Sequence, residues 1–414
     1  MVELTDKGVS AMRVGLPSRL LMVAAAVLVA ACGGAAGTSP TPTSQVKDTV
    51  KVGIVYSKTG LLASYGQQYI DGLQVGLAYA TKGTGIVNGH KIEITSQDDA
   101  GDPAKAVSAV KDLIGQGFHI IGGSTSSGVA TQVAPIAAQN KVLFISGPAA
   151  GDAITGINHY TFRSGRQSQE DVLAIKGTLT GNLSGKKILV FAQDTAFGQG
   201  NVAAVKALIG DPNGATVDKI LVPASATDFT PFAKQAKDSK PDVMYIAWAG
   251  NTATAMYTSL SQQGVLTSTT VVTGLDQRST YPLFAPLAGG AQLLSHYVYQ
   301  APKNAANDYL ISELKKQSKV PDLFSPDGFV AGQLIVQAVG KADGDGNVEK
   351  MISALENYSF QAPKGGQRIR AADHAMLQPM FIVKLTGSGA NLEPEVVKTV
   401  SLQDATPPVV PMKP

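Results

Sequence analysis

Residues 51–66 read KVGIVYSKTGLLASYG. Lys51 to Tyr56 is a short run rich in β-branched residues, ended by Ser57 and Gly60, which predicts a buried strand. The residues after it place Ile70, Leu73, Leu77 and Ala80 on one helical face. Strand then amphipathic helix is half of a βαβ unit, and the chain repeats it. KIEITSQ (91–97) alternates and stops at Asp98-Asp99, a second strand. Ala106, Val107, Val110, Leu113 and Ile114 have helical spacing, GFHIIGG (117–123) predicts a third strand, and VLFIS (142–146) a fourth.

The pattern restarts at 186. Strands are expected at 186–192, 217–222, 242–247 and 270–274, with helices near 199–210, 229–238 and 251–263. Two such series predict an α/β protein of two doubly wound parallel-sheet lobes, with helices on both faces of each sheet. The tail differs. Helices near 303–317, 328–341 and 347–356 precede a strand-rich end, PMFIVKL (379–385) and EVVKTVSL (395–402). Lobe one is expected to hold 48–164 and 301–358, and lobe two 165–300 and 359–405. The crossings, near 163–167, 300–303 and 357–364, form a multi-segment hinge.

Composition narrows the function. The 414 residues suffice for two or three domains, and 44% hydrophobic residues supply sizeable cores. Charged residues are only 16%, against about 25% in an average soluble domain. Lys and Arg are scattered and the net charge is +3, which argues against a nucleic-acid partner. The single cysteine excludes a disulfide framework, a CxxC redox site and a cysteine zinc site.

That cysteine ends the apolar run LLMVAAAVLVAA (20–31), which follows Arg13 and Arg19. The run suits a signal-peptide core of roughly 7–15 residues, not a spanning helix of about 20. Residues 1–31 are therefore expected to be a signal peptide. Val29-Ala30-Ala31-Cys32 resembles the lipobox of bacterial lipoproteins, which implies a diacylglyceryl group on Cys32. The protein would then be lipid-anchored on the outer face of the cytoplasmic membrane; an ordinary secretory signal would leave it periplasmic. Glu3 and Asp6 are out of place in a basic leader, and Met12 opens a more conventional one. Residues 32–47, small and polar with two prolines, are expected to form a flexible tether.

In open α/β sheets ligands bind beyond the carboxyl ends of the strands. Those ends here carry SKTGLLASYG, GGSTSSG, GPAAGD, QDTAFG, AWAGN and GLDQRS, none of them a phosphate-binding signature. Ser124, Ser126 and Ser127 lie where hydroxyls and free N–H groups at a helix start either hold a carboxylate or cap the helix. Asp276 is either a turn residue or the anionic partner an enclosed ammonium requires. Tyr65 and Phe197 read as cleft aromatics, and Trp248 as cleft wall or core. Arg163 and Arg166 either grip a carboxylate or brace the hinge, with the hinge favoured. Asp373-His374 has the form of an acid–base pair, yet no nucleophile lies near it in sequence, and structural bonding is the reading taken. No catalytic constellation and no cofactor fingerprint emerge, so the chain is not expected to be an enzyme.

These segments, taken in order, resemble the type I periplasmic binding proteins, in particular the branched-chain amino acid family of ABC transporters. The likeness runs over nearly all of 48–405: KVGIVYSKTGLLASYG, then DDAGDPAKAV (98–107), IIGGSTSSG (120–128), ISGP (145–148) and GLD (274–276). The resemblance implies that Ser126, with Ser124 and Ser127, holds a ligand carboxylate, helped by backbone N–H groups at Ala149 and Ala150. It implies that Asp276, one methylene shorter than the family's glutamate, takes the ammonium, and that Tyr65 and Phe197 are cleft aromatics. The family's lobe-two aromatic falls on Ala249, with Trp248 one place earlier. A threonine of some members is Ala150, and a disulfide of some members is absent at Gly101 and Thr125. The expected function is capture of a small carboxylate-bearing metabolite, an amino acid in the first instance, for delivery to an ABC permease and ATPase. A lipoprotein of the same fold that senses a ligand and signals to a membrane partner is the alternative.

Overall fold

The computed structural model describes residues 46–413. The signal peptide, Cys32 and most of the expected tether lie outside the described residues.

The first sheet has six strands, in spatial order Ile86–Val87, His90–Asp98, Asp48–Tyr56, Ile120–Gly122, Leu143–Ser146 and Thr161–Arg163. All pairings are parallel except the short hairpin of Ile86–Val87 with His90–Asp98. Alternation along Asp48–Tyr56 feeds two cores. Val50, Val52 and Ile54 point to the face covered by helices Ala63–Ala80, Ser325–Ala342 and Val348–Leu355. Val55 belongs to the opposite face, under helices Pro103–Gly115 and Ser127–Gln139. A strand buried on both faces reads as the near-continuous apolar run seen in the sequence.

The second sheet orders Thr270–Thr273, Val243–Ala247, Lys187–Asp194 and Thr216–Pro223, all parallel. Leu189 and Phe191 face one core of this lobe, Ile188 and Val190 the other. A parallel bridge from Gly274 to Leu294 continues it into a small antiparallel sheet of Leu293–Ser295, Met380–Thr386 and Glu393–Val400. Two sheets, each wrapped on both faces, give the two-lobed α/β architecture expected.

The hinge differs in detail. Its first segment is the expected one: strand Thr161–Arg163 belongs to the first sheet, and helix Ser168–Lys176 packs in the second lobe. The second lies between Ser295, in the second sheet, and helix Ala305–Lys316, which packs on Val75 and Phe329 of the first lobe. The third comes later than expected. Residues 359–377 form a small antiparallel sheet whose Ala362, Ile369 and Met376 lie in the first lobe's core, whereas Met380 and Ile382 lie in the second's. The strands here are short and their buried residues are spaced irregularly, so they gave no periodic signal. The chain crosses between Leu377 and Met380.

Candidate functional site

The carboxyl ends of both sheets face one cavity of about 240 Å³. Order reverses in the first sheet between strands Asp48–Tyr56 and Ile120–Gly122, and the loops from these two ends form one wall. Of the residues named from sequence, Tyr65, Ser126, Ser127, Ala150, Phe197, Trp248 and Asp276 line this cavity.

Ser124 and Ala149 do not line it. The Ser124 hydroxyl, buried, donates to Asp99 Oδ2 at 2.6 Å, and Asp99 also accepts from Ser57 Oγ at 2.7 Å and from the Gly101 N–H at 2.7 Å. The Ala149 N–H donates to the Ser124 carbonyl at 3.2 Å. Both are scaffold that shapes the loop, because a carboxyl group buried at the strand ends needs hydrogen-bond partners. Ser126 is the N-cap of helix Ser127–Gln139, with a long 3.5 Å contact to the Val129 N–H, and Ser127 Oγ accepts from the Gly151 N–H at 2.9 Å. Ser126 thus caps the helix only weakly and also reaches the cavity.

The two arginines separate. Arg163 is fully buried, and its guanidinium donates to the carbonyls of Ala149 and Arg166 at 2.6 Å and of Gly151 at 2.9 Å. It braces the first crossing. Arg166, favoured as a brace, lines the cavity as well. It donates to Asp171 Oδ1 at 3.3 Å and to the Pro148 carbonyl at 3.2 Å, and lies 5.5 Å from the Phe324 ring centroid.

Asp171 and His296 are cavity residues that sequence reasoning missed. His296 follows strand Leu293–Ser295, and recognising that three-residue strand would have flagged its carboxyl end. Its Nε2 lies 3.2 Å from Asp171 Oδ1, so Nε2 carries the proton, and the buried Nδ1 has no protein partner among the described residues. Burial and the Arg166 charge push its pKa down to about 4, so the ring is neutral at physiological pH. Burial raises Asp171, but Arg166 and His296 outweigh it and hold the carboxyl below its usual range.

Across the cavity, the buried Tyr65 hydroxyl donates to Asp276 Oδ1 and accepts from the Gly250 N–H at 2.9 Å. Burial pushes both Tyr65 and Asp276 above their ordinary pKa values. Tyr65 stands on the first lobe and its two partners on the second, so this hydroxyl latches the lobes. Beside it, the Asn251 N–H donates to the Leu61 carbonyl at 3.1 Å. The approach is close enough that a Cβ on Gly250, at φ +87°, would meet Leu61 O at 2.6 Å. The lobes are closed.

Aromatic rings supply much of the wall: Tyr65, Phe197, Tyr245, Trp248, Tyr257 and Phe324. Trp248 is both wall and core, since it packs on the second lobe's cluster, stacks at 5.8 Å on Phe191 and donates to Thr252 Oγ1 at 3.1 Å. Asp373 does not act on His374. It pairs with Arg370 at 2.8 and 2.6 Å and accepts from the Val410 N–H at 3.0 Å, a structural knot at the carboxyl-terminal end.

A closed cleft between two doubly wound lobes, lined by charged and aromatic groups, defines a solute-binding protein. The chain belongs to the periplasmic binding protein family, whose model matches residues 49–390. It is similar to the leucine-, isoleucine-, valine-, threonine- and alanine-binding protein of Pseudomonas aeruginosa, 26% identical over 78% of this chain and 86% of that one. It is also similar to Leu/Ile/Val-binding protein homolog 3 of Brucella melitensis, 25% identical over 73% and 83%. Among solved structures, an ABC-type branched-chain amino acid transporter protein from Rhodopseudomonas palustris is 32% identical, with a TM-score of 0.72 over 87% of this chain and 99% of that one. A solute-binding protein from Rhodopseudomonas palustris BisB5, in complex with 3,4-dihydroxybenzoic acid, shares the fold at 24% identity and a TM-score of 0.75, over 86% and 98%. The protein is thus an extracytoplasmic solute-binding component of an ABC transporter of the branched-chain amino acid type, and not an enzyme. No helix among the described residues is long and apolar enough to cross a membrane.

Proposed function

We propose that the solute is a small molecule bearing a carboxylate, an amino acid in the first instance. One observation carries this reading: a single cavity is faced by the start of helix Ser127–Gln139 on the first lobe and by Arg166 and Asp276 on the second. A guanidinium, a serine hydroxyl and the N–H groups at a helix start complement a carboxylate. Asp276 accepts an ammonium, which is too costly to enclose unpaired. Names of relatives that bind leucine, isoleucine and valine point the same way. The aromatic wall, and the dihydroxybenzoate bound by a protein of this fold, favour a second reading, an aromatic acid without an amine.

Calorimetric titration with an amino acid and its deaminated analogue separates the two. Hydrogen bonds to charged groups are worth about 1.5–3 kcal/mol, and unpairing a buried charge costs about 3–5. Asp276→Ala is therefore expected to weaken an amine-bearing ligand on the order of 100-fold or more and to spare the analogue. Ser126→Ala should weaken both about tenfold, because backbone N–H groups remain. Unchanged affinity of Asp276→Ala for the amino acid would make Asp276 a latch residue and assign the cleft to a plain acid.

The lobe assignment we propose is 48–164 with 301–377 for the first lobe, and 165–300 with 378–405 for the second. For delivery, we infer a lipid anchor on Cys32, after a signal peptide of residues 1–31. Stable anchoring takes two or more acyl signals, so Cys32→Ser should move the protein from the membrane fraction to the soluble one. A variant that still partitions with detergent would refute the anchor.

A further inference from the structure

On the first lobe, outside the cleft lining, three separate parts of the chain bring His159, Glu356 and His374 together. His159 lies in the loop before strand Thr161–Arg163, Glu356 caps the end of helix Val348–Leu355, and His374 sits between strands Gly365–Ile369 and Met376–Leu377. One ligand-type atom of each lies within 4.8 Å of the other two.

The hydrogen bonds around His374 fix its tautomer. Nδ1 is 3.0 Å from the Thr161 carbonyl oxygen, which accepts only, so Nδ1 carries a proton. Nε2 of the neutral ring is then a lone pair, yet it faces Glu356 Oε1, a second acceptor, at 3.2 Å. Two acceptors so placed need a proton or a metal ion between them. A second proton on the ring is opposed by its surroundings, since the imidazole is buried and stacked at 3.7 Å on Phe162. A histidine that donates one ring N–H to a backbone carbonyl and keeps the other nitrogen bare is arranged as a metal ligand. His159 is oriented in a similar way, with Nε2 3.0 Å from Glu349 Oε2, a carboxylate whose other oxygen accepts from Tyr160 at 2.7 Å.

We propose that His159, Glu356 and His374 bind one zinc ion, with water completing the coordination. Two imidazoles and one carboxylate form a recurrent protein donor set for zinc. The ion would tie the loop before the last strand of the first sheet to the end of a helix and to the turn near the third crossing. Its role is structural, because binding to the folded state alone stabilises that state by mass action.

The test uses tag-free protein stripped with a chelator and titrated with zinc chloride, followed by calorimetry and thermal melting. His374 is buried, so its removal risks unfolding; His159 and Glu356 side chains are 45% and 32% exposed and can be changed safely. One equivalent of zinc should bind with micromolar or tighter affinity and raise the melting temperature by several degrees. His159→Ala and Glu356→Gln should each weaken zinc at least about tenfold and leave binding in the cleft unchanged. Absence of saturable zinc binding, or binding that both variants retain, overturns the proposal; in the first case the pair is a protonated ion pair, in the second the ion sits elsewhere.

Discussion

Arg163 and Arg166, three positions apart, show how one residue type takes two roles according to what surrounds it. Carbonyls take up the first guanidinium, and the second lines the cavity. The sequence marked both as hinge candidates but not which one looked into the cleft, because burial direction at a crossing follows from how the lobes meet. Ser126 and Asp276 were legible because each closes a recognisable strand. His296 was not, and its burial bears on acid stability. Its pKa is about 4 in the folded protein, below the ordinary 6.5, so the unfolded chain binds the extra proton more readily. Stability should therefore fall as pH drops from about 6.5 toward 4, by on the order of 3 kcal/mol from this residue, and be insensitive to it above pH 7. Denaturant unfolding at pH 7 and 4.5 checks this: His296→Gln should lose clearly less stability on acidification than the parent. Equal losses would show that the ring is not held neutral.

Among the elements, helices Ala63–Ala80 and Ser325–Ala342 form the spine of the first lobe, and glycines set their spacing. A Cβ on Gly328 would stand 1.9 Å from Tyr69 O, and one on Gly72 2.0 Å from Ser325 O. Backbone meets backbone there, so no side-chain movement relieves the overlap. Gly328→Ala should destabilise by about 3 kcal/mol or more. Gly200, on helix Ala196–Val205, has open space where its Cβ would go, so Gly200→Ala should stabilise by about 0.5–1 kcal/mol. Thermal melts of the two variants give the contrast, and a mild effect at Gly328 would mean that the helices can separate. The apolar faces of these helices were readable from spacing; their contact with each other was not, since it joins segments far apart in the chain. Most of the parallel strands were equally readable, from apolar runs or alternation, but the three-residue strand Thr161–Arg163 was not. The hairpin Ser359–Ile369 and the 3₁₀ stretch Arg278–Leu287 were missed because neither carries a sustained period.

In the whole molecule, three crossings constrain two lobes to open and close about one axis region, and the Tyr65 hydroxyl spans the cleft mouth. Closure brings Arg166, the start of helix Ser127–Gln139 and Asp276 around one cavity, so ligand contacts made on both lobes would favour the closed state. The two-lobed plan was legible from the restart of the βαβ pattern, whereas closure depends on loops whose approach no local pattern encodes. The central claim is that this closed volume holds a small carboxylate. The most direct measurement is mass spectrometry of the small molecules released when the purified protein is denatured. The account predicts about one equivalent of a single small carboxylic acid, with or without an amine. Release of a solute lacking a carboxylate, at the same stoichiometry, would contradict it.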